Sequence, residues 1–170
     1  MMKSLTAGII RRAWQAALLL ACSAALAAPE IGAPAPPLKG RLFSGEAFDL
    51  SAMQGKVVLV NYYSSYCKHC AYEIGSVEAY LEDNVDKGLV VIYIGVDRPQ
   101  DKHRVERMVE IYNLKGIMVH DLEENGFGEK YRTPTAFVID RKGIVRSKHW
   151  GGKTPMYFAE HLNPVLAEPR

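Results

Sequence analysis

An α/β fold, with one mixed sheet flanked by helices, is what the sequence predicts, and three observations carry the prediction. Val57–Tyr63 and residues 89–96 are short, continuous apolar runs of the kind found in buried strands. Each is followed by a stretch whose apolar residues recur at three and four positions, so strand and helix alternate as in a β-α-β unit. Near the end, Thr135–Ile139 and residues 144–147 flank Asp140-Arg141-Lys142-Gly143, a turn-forming stretch that predicts an antiparallel hairpin. The chain's 170 residues, 48% apolar and 24% charged, suit one globular domain, and no internal repeat is evident.

Taken in order, the chain begins with Lys3, Arg11 and Arg12 ahead of an apolar stretch at 13–21 and then small residues, the layout of a secretory signal. The stretch falls short of the about 20 apolar residues that a membrane-spanning helix requires, so the remainder is expected to be exported without a transmembrane anchor. Two processing sites compete. Ala25-Leu26-Ala27 fits an A-x-A cleavage site and makes 1–27 a signal peptide, the preferred reading. Leu19-Leu20-Ala21-Cys22 resembles a lipobox, which would end the signal before Cys22 and leave a lipid anchor there. Residues 1–27 hold three of the 21 basic residues and none of the 19 acidic ones, so the mature net charge is about −1. The basicity of the whole chain therefore belongs to the signal, and a nucleic-acid or acidic-membrane partner is not expected.

Residues 28–37, with Pro29, Pro34, Pro36 and Pro37, read as an extended linker ahead of a domain at 38–170. Ile74, Val77, Tyr80, Leu81 and Val85 predict a helix from Cys67 to near Gly88, and Val105, Met108, Val109 and Tyr112 mark a second. A short strand is expected at 117–119 and a last helix at 155–166.

Only two cysteines survive cleavage after Ala27, and Cys67-Lys68-His69-Cys70 closes too small a loop to serve as a staple, which makes it a candidate redox couple. The pair stands between a buried strand and a helix. At a helix N-terminus the unpaired N–H groups and the dipole stabilise a thiolate, so Cys67 is the expected attacking thiol. Cys70, one turn on, can resolve the mixed disulfide.

These residues resemble the thioredoxin superfamily, and within it the TlpA/ResA-like exported disulfide reductases. Residues 55–63 are similar to that family's GKVVLVNFW strand, Tyr66-Cys67-Lys68-His69-Cys70 to its WCxPC, and Glu73 to the acidic residue that follows. Thr133-Pro134-Thr135 with residues 137–143 resembles its PTxFxID-x-x-G segment. The resemblance implies a thioredoxin-like fold, a cis Pro134 against the cysteines, Thr133 offering backbone hydrogen bonds to an extended substrate, and an aromatic wall from Tyr66. It also implies that Glu73 moves a proton to or from Cys70. The competing reading of Glu73 is a solvated helix residue.

Two departures matter. Asn61 stands where thioredoxin has a buried aspartate, which leaves Glu73 as the nearby proton acceptor. His69 replaces the usual proline and matches the CPHC pattern of DsbA-like oxidants; a cationic imidazole there would stabilise the Cys67 thiolate and raise the potential, whereas a solvent-facing histidine would do little.

The expected function is thiol-disulfide exchange with exported proteins in the periplasm, most simply reduction, without a bound cofactor and with the protein as a monomer. By resemblance, apocytochrome c is a candidate substrate and a membrane thiol carrier of the DsbD/CcdA kind a candidate electron donor. The alternatives are a DsbA-like oxidase or isomerase, and a copper-binding chaperone using Cys67, His69 and Cys70. Copper-carrying relatives use a wider cysteine spacing and a distant histidine, and His103, His120, His149 and His161 cannot be given that role. Zinc would need four ligands, so no metal site is expected.

Overall fold

The structure, a computed structural model, describes residues 29–128 and 132–169. The candidate signal at 1–27 and both processing sites lie outside the described residues. Among the described residues, no helix is long and apolar enough to cross a membrane.

Seven strands form one mixed sheet: β1 (Leu38–Leu42), β2 (Ala47–Asp49), β3 (Val57–Tyr63), β4 (Leu89–Gly95), β5 (Ile117–Asn125), β6 (Thr135–Ile139) and β7 (Val145–Trp150), in the order β2-β1-β5-β4-β3-β6-β7. The helices are α1 (Lys68–Glu82) and α2 (Lys102–Tyr112), with the short α3 (Pro155–Tyr157) and α4 (Asn163–Ala167) at the end. β3, β4 and β5 run parallel, as the β-α-β pattern requires, and β6 and β7 add the antiparallel hairpin.

All seven residues of β3 are buried, which is why it reads as one apolar run. Its alternation divides the core: Val57, Leu59 and Tyr63 pack with Ile74, Val77 and Leu81 of α1 and with Phe158 and Leu162, while Val58, Val60 and Tyr62 pack with Phe127, Phe137 and Leu50. Asn61 belongs by register to the α1 side, so a polar residue points into the helix-covered half of the core. The β3–β6 register sets Tyr62 opposite Thr135. The Thr133–Pro134 segment therefore enters the sheet at the end where β3 delivers the cysteines. Between β6 and β7, Asp140 accepts from the amides of Lys142 and Ile144, both at 2.9 Å, and Gly143 supplies the left-handed residue at φ 79°.

The structure departs from the sequence expectations at five places, the first being that α1 ends at Glu82 rather than near Gly88, with Val85 exposed in a separate 3-10 turn. The strand predicted at 117–119 runs on to Asn125 beside β1. Its second half is largely exposed and acidic, and Lys39–Glu124 and Arg41–Glu123 ion pairs at 2.9 and 3.0 Å stitch it to β1, so hydrophobic patterning could not mark it. The β1–β2 hairpin is also absent from the sequence expectations, because β1 is a five-residue strand centred on Gly40 and β2 has only three residues, too few for a clear strand signal. The expected linker is docked along part of its length: Gly32 N donates to Val145 O, and Ala35 N to Gly143 O, at 2.8 Å each. The single helix expected at 155–166 is divided by a π-helical segment, Phe158–Leu162. Pro164 lacks the N–H that would continue an α-helical ladder there, which accounts for the widened turn.

Candidate active site

Cys67 and Cys70 are joined in a disulfide with their Cα atoms 5.3 Å apart. Cys67 is the N-cap of α1, in extended backbone at φ −90° and ψ 107°, and its Sγ accepts from Cys70 N at 3.1 Å. Cys67 is half-buried, whereas Cys70, on the inner face of the first turn, is fully buried. A protein substrate can therefore reach one sulfur and not the other. The turn ahead of Cys67 is fastened by Asp97, which accepts from Ser65 N at 3.0 Å and from the hydroxyls of Ser65 and Ser64 at 2.7 and 3.2 Å. Asp97 follows β4 and is remote in sequence from the cysteines, so no motif marks it.

One turn beyond Cys70, Glu73 is buried, which removes the reading of it as a solvated helix residue. Its Oε1 accepts from Asn61 Nδ2 at 3.0 Å and from Lys153 Nζ at 3.2 Å, while Oε2 accepts from Lys153 N at 3.0 Å. Asn61 thus replaces a missing carboxylate with a donor to the one that remains. The side chains of Lys153 and Glu73 are 0% and 2% exposed, so this is a buried ion pair on the inner side of the redox helix. Burial pulls the Lys153 ammonium below its ordinary pKa, and the Glu73 carboxylate pulls it back up in part. Lys153 is not marked in the sequence: a lone lysine after Gly151 and Gly152, in the loop that follows β7, carries neither a motif nor a period.

His149 adjoins this pair, 4.7 Å from the Tyr157 ring and 6.2 Å from that of His161. Burial first, then the charges of Lys153 and His161, lower its pKa from the ordinary 6.5. The unfolded chain therefore takes up this proton at a higher pH than the folded one, and stability present above pH about 6.5 is lost as pH falls toward the lowered value. His149→Gln is expected to flatten the slope of unfolding free energy across that acid window, as measured by urea titrations at a series of pH values.

The Tyr66 ring is 57% exposed yet held in position. Its hydroxyl donates to Asp101 Oδ1 at 2.9 Å, and the Arg104 guanidinium lies 4.1 Å from its ring centroid. Hydrogen bonds from Tyr66, and then from Arg98, hold the Asp101 carboxyl below the usual carboxylate range. His69 is exposed and has no hydrogen-bond or ion-pair partner among the described residues. The Thr133–Pro134 peptide is cis, Pro134 is buried, and its carbonyl accepts from Gly151 N at 2.9 Å, which ties this loop to the one bearing Lys153. The fold thus brings Cys67, Cys70, Tyr66 and Glu73 to one helix start, with Asn61 and Lys153 beneath.

A model of the AhpC/TSA family matches residues 31–148, well over half of the chain. The chain belongs to the AhpC/TSA family. Among its curated relatives, thioredoxin-like protein YneN of Bacillus subtilis (strain 168) is 26% identical over 135 residues, covering 78% of each chain. Thiol-disulfide oxidoreductase ResA of Bacillus cereus (strain ATCC 10987 / NRS 248) is 28% identical over 142 residues, 80% of this chain and 79% of that one. A thioredoxin-family thiol:disulfide interchange protein from Chlorobium tepidum TLS superposes with a TM-score of 0.70 at 22% identity, covering 82% of this chain and all of the other, 100%. This family member has the thioredoxin-like fold and is a thiol-disulfide oxidoreductase with a Cys67–Cys70 pair.

Proposed function

We propose that this oxidoreductase is a disulfide reductase for exported proteins, acting in the periplasm with Cys67 as nucleophile and Cys70 as resolving thiol. The observation that carries the reading is the asymmetry of the pair: a reachable Cys67 at the helix N-cap, and a buried Cys70 one turn before a buried, paired Glu73. The Cys67 thiolate attacks the substrate disulfide, forming the Cys67–substrate bond and releasing one substrate thiolate. Cys70 then loses its proton toward Glu73, and its sulfur attacks Cys67 Sγ; the second substrate thiol leaves, and the enzyme carries the disulfide. Two electrons pass from the dithiol to the substrate. Lys153 and Asn61 are positioning residues that hold the Glu73 carboxylate.

The Tyr66 ring and the backbone of Thr133 and Pro134 flank the substrate segment. The leader at 1–27, or a lipid anchor at Cys22, supports export, and apocytochrome c and a DsbD/CcdA-like thiol carrier are the partners that the TlpA/ResA resemblance suggests. A second reading, a DsbA-like oxidase or isomerase, draws on the exposed His69 within the cysteine motif and on Arg104, which lines the same cleft as Cys67 and whose positive charge favours the reduced thiolate form.

The reduction potential of the Cys67/Cys70 couple separates the two readings. A value near about −270 mV supports the reductase and one near about −120 mV the oxidase. If the His69 imidazole stabilises the thiolate by about 0.5–1 kcal/mol, as an exposed charge pair does, His69→Pro lowers the potential by about 10–20 mV; an unchanged potential removes His69 from the site.

A further inference from the structure

On the α2 side of the disulfide a cleft of about 530 Å³ opens between the start of α1 and α2, with Cys67 in its wall. Its lining includes none of the Thr133–Pro134 loop, so it is a different surface from the one assigned above to the substrate backbone. The cleft has two chemical parts. Ala71, Met108 and Ile111 make an apolar floor, and Ile111 is 67% exposed. Arg104 and Arg107, with His103 beside them, make a rim that carries two guanidinium groups and, among the described residues, no carboxylate.

Three of the carboxylates around this rim have partners already, whereas the exposed Glu110, three residues on from Arg107, makes no ion pair among the described residues. Asp97 holds the Ser64–Ser65 turn, Asp101 is bound by Tyr66 and Arg98, and Glu106 faces Lys102 at 3.9 Å. Arg104 is steadied by a hydrogen bond from Nε to Ser65 Oγ at 3.3 Å and by the Tyr66 ring. Among the described residues neither Arg104 nor Arg107 has a carboxylate at ion-pair distance. In a chain whose mature charge is near neutral, Arg107, with no carboxylate at ion-pair distance among the described residues, and Arg104, which feels only the already-bound Asp101, stand beside the reachable sulfur and select for the sign of whatever approaches it.

We propose that this cleft docks the polypeptide segment next to the substrate's cysteine, and that it favours segments in which an acidic side chain neighbours that cysteine. The inference rests on the reductase reading and adds the chemical class of substrate. An aspartate or glutamate meets the guanidinium groups of Arg104 and Arg107, while an adjacent apolar side chain covers Met108 and Ile111. Because the rim is exposed to water, the selection acts through encounter and weak pairing and is screened by salt.

The test uses the reduced mature chain and two synthetic peptides, each bearing one cysteine in a disulfide with a neutral thiol, the cysteine being flanked by Asp and Glu in one and by Lys in the other. Hydroxyethyl disulfide, small and uncharged, is the third substrate. The expected kcat/KM ratio of acidic to basic peptide is roughly tenfold at low salt and near one at about 1 M salt. Arg107→Gln narrows that ratio, and Arg107→Glu, a second change at an exposed site without partners, narrows it further or inverts it. A ratio near one in the unmodified chain, or a ratio that neither variant alters, overturns the cleft's role while leaving the reductase reading in place. Failure to reduce even hydroxyethyl disulfide overturns the reductase reading, and the docking role with it.

Discussion

Replacing Lys153 with methionine is expected to destabilise the folded protein by about 3–5 kcal/mol, the cost of leaving a buried charge without its partner. Methionine fills much of the lysine's volume, so the loss falls on Glu73, whose carboxylate keeps only Asn61 Nδ2 and the backbone amide of residue 153. The double change Lys153→Met with Glu73→Gln removes both charges together and is expected to recover most of the stability. Denaturant unfolding of the oxidised forms measures both, read from the midpoint at constant slope. A Lys153→Met protein within about 1 kcal/mol of the unmodified one would mean that the pair is hydrated and its burial energetically unimportant.

The second large effect is kinetic. Cys67→Ser is expected to reduce turnover to the uncatalysed background, because the buried Cys70 cannot meet a protein disulfide in its place. Cys70→Ser leaves the attack intact and removes the escape from the mixed disulfide, so covalent adducts with substrate accumulate and are released by dithiothreitol. Non-reducing gel electrophoresis with mass spectrometry distinguishes the two. Adducts forming through Cys70 in the Cys67→Ser protein would reverse the assigned roles.

What could be read from the sequence follows from where the energy of each element lies. β3, β4 and α1 announce themselves because their stability comes from burying contiguous or regularly spaced apolar residues, and those residues are neighbours in sequence. Cys67 and Cys70 announce themselves because strand, pair and helix are consecutive. The acidic half of β5 is held by backbone pairing and by ion pairs to Lys39 and Arg41, which hydropathy does not register. The inner half of the site is less legible still. Glu73 meets Lys153 across 80 residues and Asn61 across 12, and Ser65 meets Asp97 across 32. Such contacts exist only once the sheet register is set. Asn61, read from sequence as the loss of a proton acceptor, turns out to be a donor that fixes the acceptor still present.

The most direct test of the account is a single-turnover reaction of the reduced Glu73→Gln protein with a peptide disulfide, following the first and second released thiols separately. Glutamine keeps the shape of the side chain but cannot take a proton from Cys70. The account predicts that the first thiol appears within about threefold of the unmodified rate, since Cys67 is unaltered. It predicts that the second is slowed by roughly 10²- to 10⁴-fold, the usual contribution of a positioned acid or base. Release of both thiols at unmodified rates would show that Cys70 gives up its proton without Glu73, and the Asn61–Glu73–Lys153 cluster would then be a feature of the core alone.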